Sequence, residues 1–143
     1  MDVRTLADRL EIDDLLTSYT RAIDTGDWDR LDTVFTPDAE IDYTSTGGIA
    51  GRFPEVKAWL AENLPMFPRR QHVLGQKEVV LDGDPVGSAR VTAYFLNPMV
   101  LPQADGSELL WEFGGLYHHT FLRTPDGWRS RRLHEEIVWK RGL

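Results

Sequence analysis

The segment IDDLLTSYTRAIDTGDWDRLDTVFTPDAEIDY, residues 12–43, sets the order of elements from which the fold prediction starts. It continues a helical pattern that opens at Thr5, a suitable N-cap, and that predicts a first helix ending near residue 23. Gly26 is typical of a helix stop, and Asp27 suits the cap of a second, short helix that ends at residues 36–38. The apolar stripe of the first helix consists of Leu6, Leu10, Ile12, Leu15, Leu16, Tyr19 and Ile23.

The remainder of the chain changes from helical to strand periodicity. Alternation over residues 39–43 predicts a strand, and a third helix is predicted over residues 54–64. Four longer alternating runs follow, separated by turn sequences, near residues 71–82, 88–101, 108–123 and 128–139. Helices followed by an antiparallel meander predict one α+β domain over residues 1–143. Its twisted sheet can curl around the helices and leave a pocket beside the first helix.

Composition excludes several classes of function. The 143 residues carry a formal net charge of −7, so the chain has no general attraction for nucleic acid or anionic membranes. No cysteine is present, which excludes disulfides, thiolate metal ligands and a cysteine nucleophile. The first residues have no signal core, and no apolar run approaches the roughly 20 residues of a membrane span. We expect a soluble, cytoplasmic protein.

Asp24 and His72 are candidate partners in an active site. On a continuous helix, Asp24 lies about 130° from the middle of the apolar stripe, so periodicity leaves it open between a solvated turn residue and a functional carboxylate. His72 opens the first long strand, where a histidine is usually only a satisfied polar residue. A carboxylate bonded to one imidazole nitrogen would fix the tautomer and make the other nitrogen a stronger base. Only the fold can bring these two residues together.

Two tyrosines and a second aspartate could also face the pocket. Tyr19 lies on the apolar stripe, and because a buried phenol needs a partner, its hydroxyl is expected to point into any cavity available. Asp42 and Tyr43 face opposite ways on a short strand, so only one of them can face the pocket. An inward Asp42 could have a raised pKa and transfer protons, whereas an outward Asp42 would be solvated.

The later strands supply aromatic and cationic candidates. Trp111 belongs to an aromatic face that is expected mainly to pack, and Trp59 is expected inward on the third helix. His118 and His119 point to opposite faces and so cannot chelate one metal ion. Arg131 and Arg132 also alternate, and whichever faces inward could stabilise an oxyanion or leaving group. With no nucleotide-binding or serine-hydrolase motif in the sequence, we expect no cofactor and no metal.

The chain as a whole resembles the SnoaL-like branch of the nuclear-transport-factor-2-like superfamily. Residues 12–43 carry the resemblance through a Tyr-x4-Asp-x-Gly-Asp helix end, together with QHVLGQKEVVLDGDPVGSARVTAYF and GGLYHHTFLRTPDGWRSRR. The resemblance implies a cone-shaped α+β barrel, in which a strongly curved mixed or antiparallel sheet wraps around three N-terminal helices and encloses a pocket. Members include scytalone dehydratase, bile-acid dehydratase, hexachlorocyclohexane dehydrochlorinase, ketosteroid isomerase and polyketide cyclases, so the fold alone does not choose a reaction.

Individual positions narrow what the resemblance implies. Asp24 and His72 fall on the Asp–His pair of the dehydratases and the dehydrochlorinase, while Tyr19 and Tyr43 fall on functional tyrosines of dehydratases. Arg131 or Arg132 lies near an arginine that serves the leaving group of the dehydrochlorinase. The residues expected to bind substrate are Asp42, Trp59, Asn97, Trp111, His118, Arg131 and Arg132. Asn97 aligns near the second catalytic histidine of scytalone dehydratase, which disfavours that enzyme's specific role.

The leading expectation is therefore a cofactor-independent lyase of the dehydratase type. His72, oriented by Asp24, would remove a proton from a small, largely apolar cyclic, polyketide-like or steroid-like substrate. One alternative is a ketosteroid-type isomerase in which Asp42 moves the proton and Tyr19 binds the oxyanion. Another is a non-catalytic domain that binds a small ligand or dimerises. The family also implies a homodimer.

Overall fold

The computed structural model describes all of residues 1–143 and contains two α-helices and seven strands. The helices are α1 (Val3–Thr25) and α2 (Phe53–Asn63). The strands are β1 (Phe35–Asp42), β2 (Ala50–Arg52), β3 (Arg69–Arg70), β4 (Val73–Gly83), β5 (Val86–Pro102), β6 (Glu108–Thr124) and β7 (Gly127–Arg141). Short 3₁₀ turns are formed by Trp28–Thr33, Thr44–Thr46 and Leu64–Met66. Neither helix is long and apolar enough to cross a membrane.

The first helix is longer than predicted at both ends. Asp2, and not Thr5, is its N-cap, because the Asp2 side chain accepts a hydrogen bond of 2.7 Å from the Thr5 backbone N–H. At the C-terminal end, Gly26 has a left-handed φ of 72°, as expected of a helix stop. Asp24 therefore lies in the last turn of α1.

The first turns of α1 are anchored by a polar residue. Leu6 and Leu10, both predicted to be on the apolar stripe, are about half exposed, whereas Asp8 is buried. The Asp8 carboxylate accepts hydrogen bonds from the Arg123 guanidinium at 2.8 Å and from the Trp128 indole N–H at 3.0 Å. These contacts tie the start of α1 to the hairpin between β6 and β7, which the apolar pattern did not predict.

The second predicted helix is only the 3₁₀ turn Trp28–Thr33, and β1 starts at Phe35, before the alternating pattern begins. The chain is extended through residues 36–38, which were predicted to end a helix. Strand β1 pairs in parallel with β7, with an irregularity between Phe35 and Glu40. Pro37, which has no N–H to donate, lies inside this irregular stretch, so the strand tolerates it.

The sheet is mixed, strongly curved and unclosed, and it confirms the predicted α+β class. Its order is β2-β1-β7-β6-β5-β3, with β4 also paired to β5, and the pair β1–β7 is its one parallel pair. The two α-helices and the 3₁₀ turn Trp28–Thr33 between them pack against this sheet, in agreement with the predicted cone-shaped α+β fold, and the sheet remains unclosed.

A β-bulge at Arg131 changes which side chains of β7 face the helices. Thr120 pairs with Arg132, but the next residue of β6 pairs with Ser130, which leaves Arg131 without a partner on β6. One extra residue reverses the alternation of a strand. Before the bulge Trp128 and Ser130 are buried, and after it the buried positions are Leu133 and Glu135.

Candidate functional site

Asp24 and His72 form a hydrogen-bonded pair. Asp24 Oδ1 lies 2.6 Å from His72 Nδ1, and Asp24 Oδ2 accepts the His72 backbone N–H at 2.8 Å. The exposed fractions of the two side chains are 16% for Asp24 and 5% for His72. An ionised carboxylate can only accept, so Nδ1 is the donor, and in a neutral imidazole of this tautomer Nε2 has the free lone pair. The arrangement suits a general base.

Arg70 connects the two elements that carry this pair. On β3, two residues before His72, it donates to the Ile23 carbonyl at 2.8 Å and to the Phe67 carbonyl at 3.0 Å. Its guanidinium also lies over the Trp28 ring, 5.6 Å from the ring centroid. A cation at the last carbonyls of a helix is favourable, so Arg70 holds the end of α1 beside His72. Burial lowers the pKa of Arg70.

His72 opens onto a cavity of about 250 Å³ between the helices and the sheet. Most of the lining is apolar, and it includes the predicted Trp59 and Trp111 together with Leu60, Leu64, Met66, Phe67, Met99 and Phe113. The polar groups of the wall are Tyr19, Tyr43, Thr46, Asn63, His72, Tyr117 and Glu135. No lysine or arginine lines it. Such a wall suits a neutral molecule with a few polar atoms.

Three buried tyrosines form one side of the cavity. The Tyr19 and Tyr43 hydroxyls lie 2.5 Å apart, and either can donate to the other. The Tyr117 ring meets Tyr19 edge to face, with centroids 5.4 Å apart, and stacks on Phe95 at 4.1 Å. Burial raises the pKa of all three phenols well above its usual value. They are therefore neutral hydrogen-bond donors at neutral pH.

Glu135 is a cavity residue that the sequence analysis missed. Its exposed fraction is 4%, it pairs across the sheet with Tyr117, and its Oε1 has no hydrogen-bond partner. Burial raises the pKa of Glu135 to about 7, although the hydroxyls of Thr46 and Tyr117 lower it in part. A regular β7 would turn Glu135 outward, so only the bulge at Arg131 could have identified it.

Asp42 lies outside the cavity. It accepts hydrogen bonds from the Thr44 backbone N–H at 2.9 Å and hydroxyl at 2.6 Å, and its Oδ2 is 3.5 Å from His134 Nδ1. The hydrogen bonds from Thr44 lower the pKa of Asp42, which is opposite to the raised value considered for a proton-transfer group. Tyr43 is the residue of this pair that reaches the cavity.

Four other residues predicted to bind substrate are also placed away from the cavity. Asn97 is buried on β5 but does not line it, and its Oδ1 is unpartnered. His118 lies on the opposite face of the sheet from the buried His119, with its Nε2 2.9 Å from Glu136 Oε1. Arg131 and Arg132 are both exposed, because the bulge removes the alternation that would have turned one of them inward. The prediction that Asn97, His118, Arg131 and Arg132 lie at the pocket is therefore wrong.

The chain is similar in sequence to a known domain family and to a mycobacterial protein. A family model described as a SnoaL-like domain matches residues 4–134. The uncharacterized protein Rv2910c of Mycobacterium tuberculosis is 49% identical over 136 residues, which covers 94% of this chain and 88% of that protein.

Solved structures show the same fold at low sequence identity. A hexachlorocyclohexane dehydrochlorinase of type 2 is 21% identical, with a TM-score of 0.83 and coverage of 100% of this chain and 93% of that one. A Novosphingobium aromaticivorans protein, provisionally assigned as a scytalone dehydratase, is 16% identical, with a TM-score of 0.84 and coverage of 97% and 89%. A nuclear-transport-factor-2-like superfamily protein from Salmonella enterica is 17% identical, with a TM-score of 0.78 and coverage of 97% and 96%.

Proposed function

Because the chain belongs to the SnoaL-like domain family, we propose that it is a cofactor-independent lyase of the dehydratase type. The observation that carries the proposal is the Asp24–His72 pair, whose imidazole lines an apolar cavity. The dehydratase and dehydrochlorinase names among the structural neighbours agree with an elimination reaction. Such a reaction requires a base to remove a proton, a leaving group on the substrate and a site shielded from water.

His72 is the proposed base. Its Nε2 would take a proton from the carbon next to a carbonyl, and Asp24 would stabilise the imidazolium that forms. One hydroxyl of the Tyr19–Tyr43 pair donates to the other, and the second would donate its proton to the enolate oxygen as charge develops on it. Because both phenols are buried and neutral, this donor is already in place before the reaction begins.

The cavity favours a small substrate. Its volume of about 250 Å³ is below the range of roughly 300 to 1,000 Å³ that is usual for pockets of drug-sized ligands. One or two rings with a carbonyl and a hydroxyl on the carbon β to it would suit the aromatic wall better than the four rings of a steroid. We therefore propose a cyclic or polyketide-like β-hydroxy ketone.

A panel of two probes tests this proposal. A β-hydroxy cyclohexanone and a β-hydroxy tetralone are incubated with the protein, and loss of water is followed by the absorbance of the conjugated product. We expect turnover that depends on His72. Failure to turn over either probe, together with no binding of the corresponding unsaturated products by calorimetry, would contradict the proposed substrate class.

The two rival functions have less support. An isomerase that uses Asp42 as its base would need that carboxylate in the cavity, where it does not lie. A purely non-catalytic domain would be favoured by a filled cavity or a separated Asp–His pair. Instead, Trp59, Phe67 and Trp111 form the wall of an open cavity, and the pair is in contact.

Removing one hydroxyl from the tyrosine pair should slow the reaction without unfolding the protein. We expect Tyr19→Phe and Tyr43→Phe each to lower kcat by about 10²-fold, near the loss seen when one oxyanion donor is removed. Steady-state kinetics on the probe that is turned over would measure this. Tyr94→Phe, at an exposed tyrosine on the other face of the sheet, is the control and should behave as wild type. If Tyr19→Phe and Tyr43→Phe both keep the wild-type kcat, as the control does, the hydroxyls have no part in the mechanism.

Self-association through the outer face of the sheet is also proposed. Tyr94 and Leu96 on β5 and Val138 and Trp139 on β7 expose apolar side chains on this face. We expect a dimer in light scattering after gel filtration, converted to a monomer by combining Tyr94→Glu with Val138→Glu. Val3→Glu, at an exposed apolar residue of α1, should leave the mass unchanged. A wild-type monomer at high protein concentration would refute the proposal.

A further inference from the structure

The cavity contains a second ionisable group besides the base. Glu135 reaches it from β7, whereas His72 reaches it from the segment between β3 and β4. Strands β6 and β5 separate these two elements in the sheet, so the two side chains approach a bound molecule from different directions. The assignment of His72 as the base leaves Glu135 without a role.

The surroundings of Glu135 favour its uncharged form. It shares the cavity wall with the neutral phenols of Tyr117 on β6, Tyr19 on α1 and Tyr43 after β1, and no lysine or arginine lines the cavity. A buried carboxylate without a cation is expensive to ionise. The negative charge of Asp42 opposes ionisation further, and burial as the main cause raises the pKa of Glu135 to about 7.

The neighbours of Glu135 on β7 do not place a counter-charge beside its carboxyl group. His134 and Glu136, the neighbours of Glu135 in sequence, lie near Asp42 and His118 respectively. Both are more exposed than Glu135. Glu135 thus has an unpartnered oxygen, a proton to give near neutral pH, and a position on the wall of the cavity.

We propose that Glu135 is the general acid of the elimination and delivers its proton to the departing hydroxyl of the substrate. The inference rests on the proposed function and adds to it the group that protonates the leaving oxygen. Glu135 is also the point at which the site would distinguish a hydroxyl leaving group from a halide, because a departing halide needs no proton.

The proposed step balances as follows in atoms and charge. His72 Nε2 takes the proton from the carbon α to the carbonyl, and the electrons of that C–H bond form the new double bond, directly or through an enolate. The C–O bond at the β-carbon breaks, and its electron pair takes the proton of Glu135, so that water leaves. Imidazolium and carboxylate remain, and proton exchange with solvent restores the neutral imidazole and the carboxylic acid.

A direct titration tests the protonation of Glu135 without any substrate. Protein labelled with ¹³C at the glutamate carboxyl carbons is titrated by NMR, and Glu135→Gln identifies the resonance of Glu135. We expect a midpoint near the pKa of about 7. A midpoint near the ordinary glutamate value of about 4.3 would overturn the inference, whatever the substrate is.

Kinetics on the probe that is turned over form the second test. We expect Glu135→Gln to lower kcat by about 10²-fold with KM changed only slightly, since the amide keeps the shape but has no acidic proton. The wild-type rate should fall as the pH rises through the pKa of Glu135, because the acid must be protonated, and this fall should disappear in Glu135→Gln. Glu135→Asp should recover part of kcat and restore the pH dependence.

Glu136→Gln is the matched control, because it makes the same change at the next residue, which bonds His118 on the opposite face. It should retain wild-type kinetics. Wild-type kcat and pH dependence in Glu135→Gln, alongside an inactive His72→Ala, would overturn the role of Glu135 and leave the proposed lyase intact. Full activity of His72→Ala would instead remove the proposed function itself.

Discussion

His72→Ala is expected to lower kcat by about 10² to 10⁴-fold, the contribution typical of a positioned general base. The imidazole is the only basic nitrogen on the cavity wall, and its Nε2 is available because Nδ1 is bonded to Asp24. Steady-state kinetics on the dehydration probe would measure the loss, and added free imidazole should restore part of the rate. KM should change far less than kcat, because the apolar wall that binds the substrate is untouched.

Asp24→Asn tests the other half of the pair. An asparagine can accept the backbone N–H of His72, but its amide can no longer stabilise an imidazolium, so kcat should fall with little loss of stability. Asp27→Asn, at an exposed aspartate just past the same helix, is the matched control. If Asp24→Asn and His72→Ala both retain nearly full activity, the proposed mechanism is wrong.

Asp8→Ala should be among the most destabilising substitutions on α1. The substitution leaves the Arg123 guanidinium and the buried Trp128 indole N–H without their acceptor. Loss of one partner of a buried pair costs about 3 to 5 kcal/mol, and because Arg123 is partly exposed we expect about 3 kcal/mol in the free energy of unfolding. Urea denaturation would measure it. Asp14→Ala, at an exposed aspartate of α1, should change stability by less than about 0.5 kcal/mol.

The same anchor predicts a pH dependence of stability. The hydrogen bond from Arg123 is the main cause that lowers the pKa of Asp8 below its unfolded value. Its stabilisation is therefore complete above the unfolded pKa of about 3.9 and is lost as the pH falls through the lower folded pKa. The difference in unfolding free energy between wild type and Asp8→Asn should shrink between pH 5 and pH 2, taking these limits as roughly those of an ion-paired carboxylate. A constant difference would show that Asp8 acts only through its shape.

Structural features that depend on nearby residues in the chain were predicted from the sequence. The left-handed Gly26 ends α1 where expected, the four long strands fall close to their predicted runs, and the family positions of Asp24 and His72 are in contact. Contacts between residues that are far apart in the chain could not be predicted from the sequence. Nothing within α1 shows that Asp8 will be buried by residues more than a hundred positions later, or that Leu6 and Leu10 will be exposed.

The directions in which the side chains of β7 point could not be predicted from the sequence either. Period-two alternation sends Arg131 and Arg132 to opposite faces, but the bulge exposes both of them and turns Glu135 inward. A bulge depends on how one strand is accommodated by its neighbours, which a single-strand pattern does not contain. For Asp42, hydrogen bonds from the following turn decided the direction in which its pKa moves.

The bulge at Arg131 also makes one residue of β7 dispensable for the cavity wall. Ser130 and Arg132 already pair with consecutive residues of β6, so loss of Arg131 would join them into a regular ladder. Leu133 and Glu135 would then keep their partners on β6 and their inward positions. A single-codon deletion at this position would therefore shorten the strand without changing the group that faces the cavity.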